Sequence, residues 1–131
     1  MEQKPLYNIL TPIIYVNNLK AEKQFYLDLG FTVSYEADDI PGFLGLAFKE
    51  TIEFGLQQKD GFNATEASKQ FVWQIGANSL HAITDICKAK GYEITESPTL
   101  CVEEWNLWEI KVKSPNGYEV TFEGPPEFEA K

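Results

Sequence analysis

Apolar and polar positions alternate in short blocks along this chain, and the first block predicts a strand followed by a helix. Residues 9–16 are rich in β-branched side chains, which favour a strand. Asn17 and Asn18 come next, and an asparagine side chain can accept a hydrogen bond from a free amide at the start of a helix. The apolar positions of residues 19–29 fall on one helical face, and Gly30 follows where a left-handed residue commonly ends a helix.

The rest of the chain continues this pattern and then repeats it. Three strand-like runs follow Gly30, at residues 31–35, 45–49 and 51–57, separated by bends rich in acidic residues, proline and glycine. The polar segment 59–69 predicts a linker. Beyond it, residues 71–76 predict a strand, residues 80–90 predict a helix, and Gly91-Tyr92 opens another strand.

Five identical residues recur between the two halves at a constant offset of 61 positions. They mark the end of a strand and the start and stop of a helix, and they pair Ile14 with Ile75, Asn17 with Asn78, Leu19 with Leu80, Ala21 with Ala82, and Gly30 with Gly91. Such self-similarity indicates a duplicated structural unit. We therefore predict an α+β fold of two βαβββ modules in tandem, at about residues 8–59 and 70–124 of a single domain 1–131. The strands are expected to form a curved mixed sheet around a cleft, with the helices on its outer face.

Composition and charge limit the kinds of molecule that this protein is expected to bind. The chain has 131 residues, 44% of them hydrophobic, which suffices for one modest core. Its 20 acidic residues outnumber 11 lysines, it contains no arginine, and its net charge of −9 would repel a phosphate backbone. No apolar run reaches the roughly 18 residues of a membrane span. We expect no nucleic-acid partner and no membrane partner, and cationic or neutral ligands are favoured.

Residues that commonly carry catalysis are few. Cys87 and Cys101 form neither a CxxC pair nor part of a tetrahedral metal site, so both are expected to be free thiols in a reducing cytoplasm. Cys87 follows the core-facing Ile86 and is expected to pack as an apolar group. His81, the only histidine, lies in the first turn of the second predicted helix without a partner, which indicates a surface residue. No catalytic residue can be assigned.

Motifs near both ends of the chain carry a family resemblance. The run Thr11-Pro-Ile-Ile-Tyr-Val-Asn-Asn-Leu19, followed by Phe25-Tyr26 and Leu29-Gly30-Phe31, resembles the opening of the vicinal oxygen chelate superfamily. The closing run from Trp108 through Ser-Pro-Asn-Gly117 to Phe122 is similar to that superfamily's last turn and strand. The group includes glyoxalase I, extradiol dioxygenases and bleomycin resistance proteins, and the resemblance spans nearly the whole chain.

Segment 103–110 is similar to the stretch that precedes this turn in bleomycin resistance proteins. Trp105 and Glu109 keep their places, but Asn106 stands where the family has glycine and Trp108 stands where it has arginine. The loop path and any polar contact of that arginine are therefore open.

The resemblance also implies four positions for metal ligands in the metal-dependent members. They fall on Thr11, Glu53, Phe71 or Val72, and Thr121. Only Glu53 is a strong ligand, and one carboxylate does not supply the several donors that a divalent ion needs. We expect no metal and no other cofactor, with Glu53 the only retained candidate ligand; a solvated strand carboxylate is its simpler interpretation.

By the same resemblance, alternate strand positions face the cleft. Thr11, Ile13 and Tyr15 are expected on one side, with Glu119, Thr121 and Glu123 opposite, while the intervening residues Ile14, Val16, Val120 and Phe122 form helix-side core. The three tryptophans could offer flat surfaces that attract cations, or could serve ordinary core or interface packing. The expected ligand-binding set is Tyr15, Trp73, Trp105, Trp108, Glu119, Thr121 and Glu123.

These expectations favour a metal-free binding protein of the bleomycin-resistance type. It would be a homodimer that sequesters a small cationic or aromatic compound in an acidic, aromatic-lined cleft, without turnover. Two alternatives stay open at this point. One is a metal-dependent lyase, isomerase or dioxygenase of the glyoxalase superfamily using Glu53. The other is a protein-interaction module that uses its aromatic residues as a contact surface.

Overall fold

Within residues 5–128, eight strands and two long helices are arranged as two β-α-β-β-β units, which confirms the predicted tandem modules. The computed structural model describes residues 5–128. The first module contains β1 (Ile13–Val16), α1 (Leu19–Asp28), β2 (Thr32–Tyr35), β3 (Phe43–Phe48) and β4 (Ile52–Gln58). The second module contains β5 (Trp73–Gly76), α3 (Leu80–Lys90), β6 (Glu93–Val102), β7 (Leu107–Lys113) and β8 (Glu119–Gly124). The short helix α2 (Ala64–Ala67) lies between them.

Each module forms its own four-stranded mixed sheet, and the two sheets have the same topology. The strand orders are β1-β4-β3-β2 and β5-β8-β7-β6. In each sheet the first strand pairs in parallel with the fourth, and the remaining pairs are antiparallel. The shared order confirms that the sequence repeat corresponds to a repeat of structure.

The two long helices have equivalent capping residues at their starts and equivalent glycines after their ends. The side chain of Asn18 accepts a hydrogen bond from the Ala21 amide at 3.1 Å, and the Ser79 hydroxyl accepts one from the Ala82 amide at 3.2 Å. After the helices, Gly30 and Gly91 have φ values of 97° and 80°. Glycine adopts this left-handed conformation without the steric cost that a Cβ would add. The predicted helix starts and stops are confirmed within one residue.

Several predicted boundaries differ from the structure. β3 begins at Phe43 rather than at residue 45, and β5 begins at Trp73 rather than at residue 71. β1 begins at Ile13 rather than at residue 9, because Pro12 has no amide hydrogen to continue the strand ladder. The expected linker at 59–69 contains α2, where the Asn63 side chain accepts a hydrogen bond from the Glu66 amide at 3.1 Å. A 3-10 turn, Ser68–Gln70, follows it. Asparagine followed three residues later by glutamate is a helix-start signal that indicated this element.

The core lies between the helices and one face of each sheet. Side chains of alternate strand positions are buried there, which confirms the predicted helix-side residues Ile14, Val16, Val120 and Phe122. Aromatic contacts join the modules on this helix side. The Phe25 and Tyr92 ring centroids lie 4.9 Å apart, the Phe54 and Trp73 centroids lie 5.2 Å apart, and Trp73 Nε1 donates to Tyr26 Oη at 3.0 Å.

Among the described residues, 5–128, no helix of the same module covers the opposite face of each sheet, and we call this face the open face. Ile13 and Tyr15 on the first open face are 55% and 45% exposed, whereas their neighbours Ile14 and Val16 are buried. This alternation follows from the two-residue period of a strand. None of the helices within residues 5–128 is long and apolar enough to cross a bilayer.

Candidate functional site

The open face of the second sheet is rich in carboxylates. Glu109 on β7 lies directly opposite Glu123 on β8, and Glu119 lies opposite Lys113. Glu96 on β6 faces the same cluster. We call the surface formed by Glu96, Glu109, Glu119 and Glu123 the acidic face. Because like charges placed directly opposite on neighbouring strands are destabilising, the Glu109–Glu123 pair lowers the stability of the sheet unless a cation lies nearby.

The carboxyl groups of Glu96 and Glu109 are neighbours on the acidic face. The pKa of Glu109 is raised by its partial loss of hydration, and further by the neighbouring carboxyl of Glu96, while Lys111 and Cys101 oppose the shift. Within residues 5–128, the buried Oε2 of Glu96 has no hydrogen-bond partner. A buried carboxylate oxygen without a donor is unfavourable, so a cationic group that hydrogen-bonds to it would be favoured here.

A cavity of about 290 Å³ adjoins the acidic face. Its walls combine polar sheet residues with the apolar segment that leads into β5. The lining residues are Ser68, Phe71, Val72, Trp73, Gln74, Glu109, Lys111, Glu119 and Thr121. Gln74 and Lys111 flank Thr121 across neighbouring strands. Lys111 is partly neutralised by Glu119, whose Oε1 lies 3.9 Å from Lys111 Nζ. The cavity therefore offers apolar contact beside excess negative charge.

Cys101 lies at the border of the acidic face with its side chain exposed. Its pKa is raised by partial loss of hydration, and then by the charges of Glu109, Glu123 and Glu96. Negative surroundings disfavour the thiolate, which is the nucleophilic form of cysteine. This thiol is therefore a poor nucleophile at neutral pH.

The open face of the first sheet is aromatic rather than acidic. The Phe43 ring lies over Gly55, where an added Cβ would approach to within 2.7 Å of a ring carbon. The Tyr35 ring lies 6.0 Å from Phe43. Tyr15 packs near Lys59, whose ammonium is 4.9 Å from the ring centroid. This face thus supplies aromatic surface that the acidic face lacks.

The predicted ligand-binding residues separate into four groups, and Trp73 and Trp108 form the last. Glu119, Thr121 and Glu123 share the open face of the second sheet, as strand alternation predicted. Tyr15 lies on the open face of the first sheet. Trp105 is 73% exposed in the 3-10 turn Glu103–Trp105, ahead of β7.

Trp73 and Trp108 are partly buried against the core, and Trp73 also lines the cavity beside the acidic face. Trp73 points to the helix side, where it contacts Phe54 and donates to Tyr26. Trp108 is on the same side of its strand as the buried Ile110 and packs against the core. Both follow the alternation of their strands, because Trp73 precedes the core-facing Ile75 by two residues and Trp108 precedes Ile110 by two.

The other singled-out residues lie as follows. His81 is exposed in the first turn of α3, with Nδ1 3.2 Å from Glu127 Oε1, which confirms the predicted surface position. Cys87 is fully buried, as predicted for a packing thiol.

The donors at the four family metal positions do not fit a divalent ion. Glu53 contributes one exposed carboxylate on β4, Thr11 and Thr121 are hydroxyl side chains, and Phe71 and Val72 are apolar. Within residues 5–128, no three or more His, Cys, Asp or Glu side chains are grouped so that they could hold a metal ion. Structural zinc sites commonly use four donors, and hard cations use several oxygens.

Three charged residues of the site were absent from the predicted set: Glu96, Glu109 and Lys111. The alternation around Ile110 would have placed Glu109 and Lys111 on the open face. No such signal existed for Glu96, because the register of β6 shifts on both sides of it.

No protein-family model and no curated protein matches this sequence. Solved structures match it over nearly its whole length. A bleomycin-binding protein complexed with bleomycin has a TM-score of 0.66 and 18% identity, covering 90% of this chain and 98% of that chain. A bleomycin resistance determinant encoded on transposon Tn5 has a TM-score of 0.66 and 16% identity, covering 91% and 98%.

A glyoxalase/dioxygenase from Nostoc punctiforme has a TM-score of 0.68 and 11% identity, covering 94% of this chain and all of that chain. At these identities the likeness concerns the fold. The chain shares the fold of these bleomycin resistance proteins and of this glyoxalase/dioxygenase, as its motifs predicted.

Proposed function

We propose that this protein is a metal-free binding protein of the bleomycin-resistance type, which sequesters a small cationic aromatic compound at the acidic face. The observation that carries the proposal is the group of Glu96, Glu109 and Glu123, whose negative charge exceeds that of the neighbouring Lys111, beside a cavity of about 290 Å³. A cation at this position would relieve the repulsion between the carboxylates and provide a partner for Glu96 Oε2. The proposal includes no catalytic residue, because the acidic surroundings of Cys101 disfavour its thiolate, which is the nucleophilic form.

The aromatic part of the ligand requires a second surface. Phe71 and Val72 provide apolar contact in the cavity, and the exposed Trp105 offers a stacking face. The aromatic open face of the first sheet would complete the site if a second copy of the chain placed it against the acidic face. The proposal therefore includes a homodimer, and the two free thiols suit a reducing cytoplasm. One structure with this fold is a bleomycin-binding protein complexed with bleomycin, which supports a ligand of this class.

The test is a titration with metal-free bleomycin and a panel of cationic aromatic dyes, followed by tryptophan fluorescence and calorimetry. Glu109→Gln should weaken binding about fivefold, since an exposed charge pair at contact is worth about 1 kcal/mol. Trp105→Ala should weaken it more, because it removes contact area as well as a cation-attracting face. The matched control is Glu50→Gln in the β3–β4 turn, which changes net charge equally but lies outside the site.

Binding should also depend on pH and salt in a defined direction. Because the pKa of Glu109 is raised, protonation begins at a higher pH than for an ordinary glutamate, and affinity should fall as the pH drops through that range. Salt should weaken binding, since screening acts over about 8 Å at physiological ionic strength. Tight binding of neutral or anionic compounds only, or equal losses in Glu109→Gln and Glu50→Gln, would overturn the proposal.

A further inference from the structure

A second cavity, on the helix side of the molecule, lies between the two modules. Its volume is about 250 Å³, and we call it the inter-module cavity. The first module contributes Leu29, Phe31, Phe48 and Ile52 to its walls. It shares no lining residue with the cavity beside the acidic face.

The second module lines the opposite wall with aliphatic side chains and closes one end with a polar turn. Ile75 of β5 and Ile83 and Ile86 of α3 face the cavity. Asn78 and Ser79 lie at its polar end. The Ser79 hydroxyl is occupied, because it accepts from the Ala82 amide and donates to the Pro126 carbonyl at 3.4 Å. Within residues 5–128 the Asn78 side chain makes no hydrogen bond, so it remains available to a ligand.

The C-terminal segment crosses the rim of the cavity. The amides of Leu80 and His81 donate to the carbonyls of Pro125 and Pro126, at 3.1 and 2.8 Å. These bonds hold the segment against the start of α3. Phe128 then reaches the cavity edge with 73% of its side chain exposed. An aromatic ring at the rim is placed to cover a bound molecule.

From this geometry we infer that the inter-module cavity binds a neutral, two-ring aromatic molecule carrying one polar group. An apolar cavity of about 150 Å³ accommodates benzene, so about 250 Å³ suits two fused rings. No charged side chain lines the cavity, and an ionised ligand would lose its hydration without compensation. The free amide of Asn78 orients the ligand by hydrogen bonding to its hydroxyl or carbonyl group. This site is independent of the function proposed above.

The probe is 2-naphthol, and binding is followed by NMR of isoleucine methyl groups in the full-length protein. Shifts confined to Ile52, Ile75, Ile83 and Ile86 are expected, with Ile9, Ile40 and Ile94 unchanged. A parallel rise in thermal midpoint should accompany saturation, because a ligand of the folded state stabilises it. Shifts at other methyl groups only would overturn the inference. Shifts that appear when the protein concentration is raised without the probe would also overturn it, because they would assign the cavity to contact with a second copy of the chain.

Two variants and a control make the test decisive. Ala82→Leu places a larger side chain in the cavity and should weaken binding at least about tenfold, the effect of overfilling a packed site. Ala89→Leu is the control, because Ala89 is exposed on the same helix. This variant should bind 2-naphthol as tightly as the wild type does. Phe128→Ala removes an exposed ring, does not threaten folding, and should also weaken binding. Unchanged affinity in a folded Ala82→Leu protein, or in Phe128→Ala, would contradict the assignment.

Discussion

One of the two thiols of this chain is buried and the other is exposed, so only the exposed thiol is accessible to a reagent in the folded protein. Burial raises the pKa of Cys87 to about 11 and removes the thiol from solvent. Cys101 is exposed, and its pKa is raised by partial loss of hydration together with the charges of the acidic face. The rate at which Cys101 reacts therefore reports the electrostatic potential of the candidate site.

We predict that Glu109→Gln speeds alkylation of Cys101 by neutral iodoacetamide about two- to threefold, because removing one negative charge favours the thiolate. Mass spectrometry should locate the label, and Cys87 should react only after unfolding. Glu50→Gln, which alters the same net charge at a distant turn, should leave the rate unchanged. A rate that responds equally to both substitutions would show that overall charge, and not the acidic face, controls this thiol.

At the scale of elements, a buried carboxylate connects α1 of the first module with the β7–β8 turn of the second. Glu22 is fully buried, and its Oε1 accepts hydrogen bonds from the Asn116 amide at 3.1 Å and from Asn116 Nδ2 at 2.9 Å. Burial raises the pKa of Glu22. The hydrogen bonds with Asn116 and a further one with Ser114 act in the opposite direction but are outweighed. Its titratable neighbours include Tyr26, Tyr92 and Tyr118, and each of them has a raised pKa as well.

The sign of the resulting pH dependence follows from proton binding. The folded protein holds the Glu22 proton more tightly than the unfolded chain, so the free energy of unfolding falls as pH rises from 4.5 through the raised pKa. Glu22→Gln keeps the acceptor for Asn116 but cannot ionise. We predict that it stabilises the protein by about 1 kcal/mol at neutral pH, the scale of a buried polar group left unpaired.

Urea unfolding across a pH series checks this prediction, and the gain should vanish below the usual glutamate pKa, where the wild-type side chain is also protonated. Glu66→Gln is the control, because Glu66 is exposed and its contact with Lys69 is worth little. A Glu22→Gln protein that is less stable than wild type at neutral pH would mean that the ionised carboxylate is the stabilising form.

The starts and ends of the helices were predictable from sequence where a single residue determines them. Asn18, Ser79, Gly30 and Gly91 occupy positions with restrictive backbone or hydrogen-bond demands, so the repeat between the halves indicated both helices. Strand alternation likewise predicted which side of β1 and β8 is buried. Applied to β5 and β7, the same alternation would have placed Trp73 and Trp108 in the core.

What was not predictable depends on register and on contacts between distant segments. The shifts in β6 bring Glu96 next to Glu109, and no periodicity in the sequence encodes such shifts. The Trp73 side chain is fixed by Tyr26, which lies 47 residues earlier and in the other module. The acidic face could therefore be anticipated only in part, through Glu119, Thr121 and Glu123.

At the scale of the whole molecule, the modules meet through their helix sides and leave apolar surface on the first open face. Ile13, Tyr15 and Tyr35 are 55%, 45% and 37% exposed there, and Leu6 and Leu10 in the preceding segment exceed 80%. Contiguous apolar surface of this kind commonly marks an interaction site. A second copy that places its acidic face opposite this surface would give each site one aromatic and one acidic wall.

We therefore predict that the protein sediments as a homodimer at micromolar concentration and that Ile13→Glu shifts it toward the monomer. Burying an unpaired carboxylate in an apolar contact should raise the dimer dissociation constant at least about tenfold. Ile40→Glu is the matched control, because Ile40 is 45% exposed in the loop between β2 and β3. This substitution should leave the dimer intact. Circular dichroism should confirm that both variants fold. If the wild type is monomeric under these conditions, or if both variants dissociate alike, the open face of the first sheet is not the dimer contact, and a cationic ligand must bind to the acidic face of a single chain.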